Sequence, residues 1–224
     1  GLGDVYKRQE LGCQEGTNRD KMLKNHEFEK RISMDMFSLD GKNAVVVGGA
    51  GGLGQAIAQG LAEAGAQVAI ASRREESLRR AAAEIKEACD KRVSWYTVDA
   101  TDEESVKSLV DAVIRNMGQV DILVNAQGLN KKFPAQDFDM DVFQQMLSVN
   151  VAGVMMCCKH FGKQMIERGY GKIINVSSVR GKIATRAPGN AAYCSTKGAV
   201  DMMTRQLASE FGPYGTVSYT HLRA

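Results

Sequence analysis

Ala44-Val45-Val46-Val47-Gly48-Gly49-Ala50-Gly51-Gly52-Leu53-Gly54 runs from an unbroken apolar stretch into a glycine-rich turn, and then into helical spacing with Ile57 and Leu61 on one face and a stop at Gly65. That order of strand, turn and helix decides the fold. Four apolar residues bounded by turn signals read as a buried strand. The turn and the first helical amides form a site for an anion, because free N–H groups and the helix dipole point outward and missing side chains let a pyrophosphate come close. Two glycine registers fit, one through Gly49, Gly51 and Gly54 and one through Gly48, Gly52 and Gly54. A glycine turn alone is weak; placed between strand and helix it makes Gly48, Gly52, Leu53 and Gly54 candidates for binding a dinucleotide.

Outward from this stretch the rhythm repeats. Strands are expected at 68–71, 93–98, 120–124 and 173–176, with helices at about 75–89, from the stretch 101–104 to about 116, over a long region 140–167, and from about 190 to 211. Thr101-Asp102-Glu103-Glu104 reads as a capping box opening the second of these helices. Such alternation implies parallel strands joined by right-handed crossovers with helices on both faces, a doubly wound, Rossmann-like α/β/α sheet. Ligands of such sheets bind beyond the carboxyl ends of the strands, where the glycine turn, Asp99, Asn125 and Ser178 all fall.

Composition narrows the function classes. The chain has 224 residues, 44% hydrophobic and 25% charged, with a net charge of +3, the make-up of one ordinary globular domain. Its basic pairs are interspersed with acids, so no nucleic-acid partner is expected. The apolar run 151–158 is too short to span a bilayer. Five Cys include no C-x-x-C, and three scattered His have no zinc spacing, so no metal is expected and the thiols read as reduced, consistent with a cytoplasmic protein.

Two local features carry chemistry. After the second strand an NAD-binding sheet usually offers an acid to the adenosine ribose; here Ser72 is followed by Arg73 and Arg74, which suit a 2′-phosphate. NADP(H) is therefore expected ahead of NAD(H), with Arg73 the better partner. On the last helix Tyr193 and Lys197 stand four residues apart and so share a face. Holding a phenolate near neutrality takes roughly 4 kcal/mol, and a cation about 4 Å away at an effective dielectric near 20 supplies about that much. With six Tyr in the chain, a Lys four residues on is common by chance, so its meaning depends on the residues upstream.

In order along the chain, the glycine turn, Asp99, Asn125-Ala126-Gln127-Gly128, Asn150, Lys172-Ile-Ile-Asn-Val-Ser-Ser178 and Tyr193-Cys-Ser-Thr-Lys197 resemble the short-chain dehydrogenase/reductase family from about residue 37 to 215. The resemblance implies hydride transfer between nicotinamide and a secondary alcohol or ketone. It gives Tyr193 the proton transfer, Lys197 the lowering of its pKa and a bond to the nicotinamide ribose, Ser178 the polarisation of the carbonyl and Asn150 a relay water. Ser177 competes with Ser178. Asp99 would lie beside adenine, and Asn125 and Gly128 would border the cofactor. The pattern departs at Val47, where the family has Thr, and at Ala126-Gln127, where it has Asn-Ala.

Residues 171–181 and the stretch around Tyr193 look most like sugar-acid and polyol dehydrogenases of the gluconate 5-dehydrogenase type. A 3-oxoacyl-carrier-protein reductase, hinted at by Lys131-Lys132, and a non-catalytic dinucleotide-binding module are the alternatives. The resemblance also implies a homodimer or homotetramer through the two long helices that carry Met146, Met155, Met156, Met202 and Met203, residues that serve either an interface or, as Met at helical spacing more often does, core packing. The first nine and last eight residues resemble translated sequencing-adapter read-through. The domain is accordingly expected over 36–224, after a non-native or disordered extension at 1–35, with the C-terminal strands cut off and an unprotected sheet edge.

Overall fold

The computed structural model describes residues 36–223, so the expectation for residues 1–35 lies outside the described residues. The chain divides into two units, 1–38 and 39–224, and the second carries the fold. Its elements are β1 (Asn43–Val47), α1 (Gly52–Glu63), β2 (Gln67–Ser72), α2 (Glu75–Cys89), β3 (Ser94–Thr97), α3 (Glu103–Met117), β4 (Ile122–Asn125), α4 (Met140–Leu147), α5 (Gly153–Arg168), β5 (Gly171–Ser178), α6 (Ala191–Phe211) and β6 (Thr216–Arg223). The six strands form one sheet in the order β3-β2-β1-β4-β5-β6, every pairing parallel.

Strand alternation sorts the core into two layers. On one face Val45 and Val47 pack with Leu123 and Ile173 under α3, α5 and α6, which contribute Val106, Val113, Phe161, Met165 and Leu207. On the other face Ala44, Val46, Ile70 and Val124 lie under α1 and α2, which contribute Ala58, Leu78 and Ile85. Each fully buried Val or Ile contributes about 1.5–3 kcal/mol, which is why β1, buried along its whole length, reads as a continuous apolar run. The strand order reverses between β1 and β4, and the crevice at that reversal is where the site assembles.

Three findings correct the sequence reading, and a fourth decides between its alternatives. The expected loss of every strand after β5 is wrong: residues 216–223 form β6, paired with β5 from Gly171↔Thr216 to Ser178↔Arg223. Sequence reading discounts the strand because residues 217–224 resemble adapter read-through, and its covered positions, Thr216 and Ser218, whose buried hydroxyls have no partner among the described residues, give no apolar alternation to mark it. The cap of α3 is Asp102, whose carboxylate accepts from Glu104 N at 3.1 Å, while Thr101 turns back to Asp99. The helix expected over 140–167 is broken by a π-helical turn, Ser148–Ala152, at its middle. Of the five Met on the two long helices, Met146, Met156 and Met203 pack into the core, and Met155 and Met202 are exposed.

Candidate active site

The glycine turn is a cradle closed to side chains. Gly48 has φ +83°, and a Cβ on it would lie 2.5 Å from Gln127 N. A Cβ on Gly49 would meet Val46 O at 2.8 Å, and one on Gly54 would collide with Gly48 O. Backbone therefore packs on backbone where β1 hands over to α1, and α1 has no side-chain cap to satisfy its first amides. Gly48 and Gly51 line a cavity of about 280 Å³ with Ser72, Arg73, Asp99 and Gly128, so the crevice joins the ends of β1, β2 and β4 and the segment after β3. These features fit a dinucleotide: a cradle without Cβ atoms, free helix amides and an adjoining cavity.

A second hollow, about 230 Å³, adjoins Gly48 and Gly51 and is lined by Arg73, Arg74 and Ser77, with no acid among its lining residues. Sequence reading found both Arg but missed Ser77, whose signal was only a hydroxyl in the first turn of α2. Asp99 lies on the same cavity as Arg73. Bonds from the Thr101 hydroxyl (2.7 Å) and N–H (2.9 Å), with a smaller pull from the Arg73 guanidinium, hold its carboxyl below the usual range. Leu53 packs its side chain against the apolar layer of β1 and β2.

Asn125 does not line the cavity. Its Nδ2 donates to Asn175 Oδ1 at 2.9 Å and to Cys158 Sγ at 3.3 Å, and Asn175 in turn donates to Thr204 on α6. This buried polar chain ties β4, β5 and α6 together. Asn125 Oδ1 has no partner among the described residues, and the residue paired with it on β1 is Val47, which lacks a hydroxyl. Gln127 reaches instead toward Cys157, its Oε1 likewise buried without a partner.

Asn150, fully buried in the π-helical turn, exchanges two hydrogen bonds with the Leu129 backbone (2.7 and 2.8 Å) and donates to Thr196 Oγ1 at 3.0 Å. Both amide hydrogens are thus committed, so the side chain serves first as a tie between the loop after β4 and α6. Thr196 was missed by sequence reading, since a Thr inside a helix gives no signal of its own.

At the end of β5 the two serines differ. Ser177 Oγ donates to Lys197 O at 3.3 Å, whereas Ser178 Oγ accepts from Arg180 N at 3.2 Å and keeps its own hydrogen to donate. Tyr193 is half-buried, and Lys197 Nζ lies 5.8 Å from its ring centroid. Lys197 donates to Val176 O at 2.7 Å, so α6 holds the Tyr and Lys beside the end of β5, with Ser178 two residues beyond Val176. The four expected catalytic residues are therefore gathered by α6 and its ties to Asn150, β5 and the loop after β4.

Burial pushes the Lys197 ammonium from 10.5 down to about 8, partly offset by the Asp201 charge one turn further along α6. Between those values the folded chain binds fewer protons than the unfolded chain, so this group's contribution makes stability rise with pH across that window. Below pH 8 the buried charge costs on the order of 3 kcal/mol. Lys197→Met removes this titration along with the bond to Val176 O, so the stability of the parent relative to the variant is expected to rise by about 3 kcal/mol between pH 8 and pH 10.5. Urea melts of both chains across that range check this; a difference independent of pH contradicts it.

Comparison with known proteins finds relatives over most of the chain. Residues 42–221 match the family described as short chain dehydrogenase. The chain is 38% identical over 181 residues to gluconate 5-dehydrogenase of Gluconobacter oxydans (strain 621H), covering 81% of this chain and 70% of that protein. A crystal structure of a gluconate 5-dehydrogenase from Burkholderia cenocepacia J2315 in complex with NADP and tartrate matches with a TM-score of 0.79 and 33% identity, over 85% of this chain and 73% of that one. The structure of an NAD+-bound xylitol dehydrogenase matches with a TM-score of 0.77 and 35% identity, over 81% and 69%.

Proposed function

The chain belongs to the short chain dehydrogenase family, and from that premise we propose that it is an NADP(H)-dependent oxidoreductase of a sugar acid or polyol. The observation that carries this reading is the placement of Ser178, Tyr193 and Lys197 at the end of β5, at the same edge of the sheet as the glycine cradle. When bound, the nicotinamide cofactor supplies the hydride acceptor or donor. Gly48, Gly52, Gly54 and the first amides of α1 would hold its pyrophosphate, and Arg73 and Arg74 its 2′-phosphate.

The chain's own residues move the proton. Tyr193 takes the hydroxyl proton of the alcohol during oxidation and returns it to the oxygen during reduction. Lys197, as the cation beside it, lowers the cost of the phenolate. Ser178 donates its uncommitted hydrogen to the substrate oxygen, where charge develops. Asn150 acts by tying the loop after β4 to α6, and the second lone pair on its Oδ1 is the place its side chain can hold a relay water.

Both NADP and NAD+ occur in complexes of relatives. Here the acid-free hollow beside Arg73 and Arg74 supports NADP(H). Nicotinamide absorbance, followed with gluconate and with xylitol and either cofactor, tests the reading. Turnover is expected with at least one substrate and preferentially with NADP+. Arg73→Gln/Arg74→Gln should weaken NADPH binding by about 10- to 100-fold, the loss of one or two charge-assisted bonds, and leave NADH nearly unchanged. Equal losses for both cofactors would contradict the 2′-phosphate assignment.

A further inference from the structure

The segment between β5 and α6 borders, with residues 134–136, an open cavity of about 850 Å³ whose lining differs from that of the dinucleotide crevice. Three cations line it, Arg180, Lys182 and Arg186, and no lining residue is acidic. None of the three has a salt-bridge partner among the described residues. Gly189 of the same segment packs against Lys132, which brings the Lys131-Lys132 pair to its border.

The cavity adjoins the reacting groups at two points. Arg180 donates its backbone N–H to Ser178 Oγ, and Cys194, the neighbour of Tyr193, lines the wall. A substrate whose carbinol lay at Ser178 and Tyr193 would therefore have this cavity and its three cations beside it. Like charges around a concave surface raise a positive potential that nothing in the lining offsets. A neutral polyol would leave the cations uncompensated, whereas a carboxylate or phosphate would neutralise them and accept paired bonds from a guanidinium.

We propose that this cavity selects substrates bearing an anionic group remote from the reacting carbon, with Arg180, Lys182 and Arg186 as its determinants, in preference to neutral polyols. The inference rests on the dehydrogenase reading above and adds the charge class of the substrate.

Calorimetric titration of the slow-turnover Tyr193→Phe chain saturated with NADP+, using D-gluconate, D-sorbitol 6-phosphate and D-sorbitol as probes, tests it. At least one of the anions should bind about tenfold tighter than D-sorbitol or better, the scale of one charge-assisted contact. Binding of gluconate alone identifies a carboxylate site, and binding of the phosphate alone a phosphate site. Arg180→Gln/Lys182→Gln/Arg186→Gln should reduce the anion to the D-sorbitol level without changing the thermal shift given by NADPH. Removing two remote exposed cations, Lys91→Gln/Arg92→Gln, should preserve the preference. If the triple variant does not melt cooperatively, the exposed single variants Lys182→Gln and Arg186→Gln carry the same comparison.

D-sorbitol binding as tightly as the anions, or a preference that survives the triple variant, overturns the inference. So does the absence of anion binding by a chain whose melt NADPH still shifts, an outcome that leaves the dehydrogenase reading standing. Absence of the NADPH shift itself overturns that reading and the inference with it.

Discussion

Tyr193→Phe is expected to lower turnover by about 10²- to 10⁴-fold, the range for loss of a positioned proton donor and acceptor. The substitution removes one oxygen and leaves the half-buried ring, its contact with Lys197 and the α6 backbone in place. No other group is set to take over the proton: Ser178 remains a hydroxyl of far higher pKa, and the Cys194 thiol has no His among its sequence neighbours. The defect should therefore appear in kcat, with the melting temperature and the thermal shift by NADPH close to those of the parent. Steady-state kinetics beside a melt of the same preparation make the check. Retained turnover in Tyr193→Phe would remove Tyr193 from the chemistry.

The second large effect concerns the cradle. Gly54→Ala places a Cβ against Gly48 O, with Gly48 C at 2.9 Å and Gly49 Cα at 3.2 Å. All three atoms are backbone, so no side-chain rotation relieves the contact and the start of α1 must move from the end of β1. Overpacking of this kind costs about 3 kcal/mol, or roughly 6 to 12 °C in melting temperature for a domain of this size. The NADPH shift should fall with it, because the same displacement opens the pyrophosphate cradle. Gly60→Ala, in the same helix, is the control. Nothing lies within 4 Å of its Cβ position, and the exposed helical glycine gives way to a better helix former, so a gain of about 0.5–1 kcal/mol is expected. If Gly54→Ala and Gly60→Ala shift the melt alike, the close approach of Gly48 and Gly54 does not hold the turn.

How much of this was legible in the sequence depends on whether a feature is local. Strands β1, β2, β4 and β5 announced themselves as apolar runs because parallel strands are covered on both faces, and Gly65 marked the end of α1. Helix α2 was bounded correctly by its own periodicity. Strand β6 was discounted for its resemblance to adapter read-through, and Thr216 and Ser218 at its covered positions gave no apolar pattern to argue for it. The π-helical turn was hidden as well: Ser-Val-Asn-Val-Ala keeps an apolar pattern compatible with an unbroken helix, and only the Asn150 bonds to Leu129 and Thr196 reveal why the chain bulges there.

In the site, Tyr193 and Lys197 could be paired from spacing alone, since a helix makes residues four apart neighbours. Ser177 and Ser178 could not be separated that way. Adjacent strand residues point to opposite faces, and the distinction appears only where Ser177 meets Lys197 O and Ser178 meets Arg180 N. Arg180, Lys182 and Arg186 look like scattered surface charges in sequence. They become a group only when the segment after β5 folds around a cavity.

The most direct measurement is a thermal melt of the chain with no ligand, with saturating NADPH and with saturating NADH. A ligand at about 100 times its dissociation constant adds about 2.7 kcal/mol, so a rise of roughly 5 to 10 °C with NADPH, larger than with NADH, is the expected result. A cooperative melt that neither cofactor moves would contradict a dinucleotide-dependent enzyme at its root.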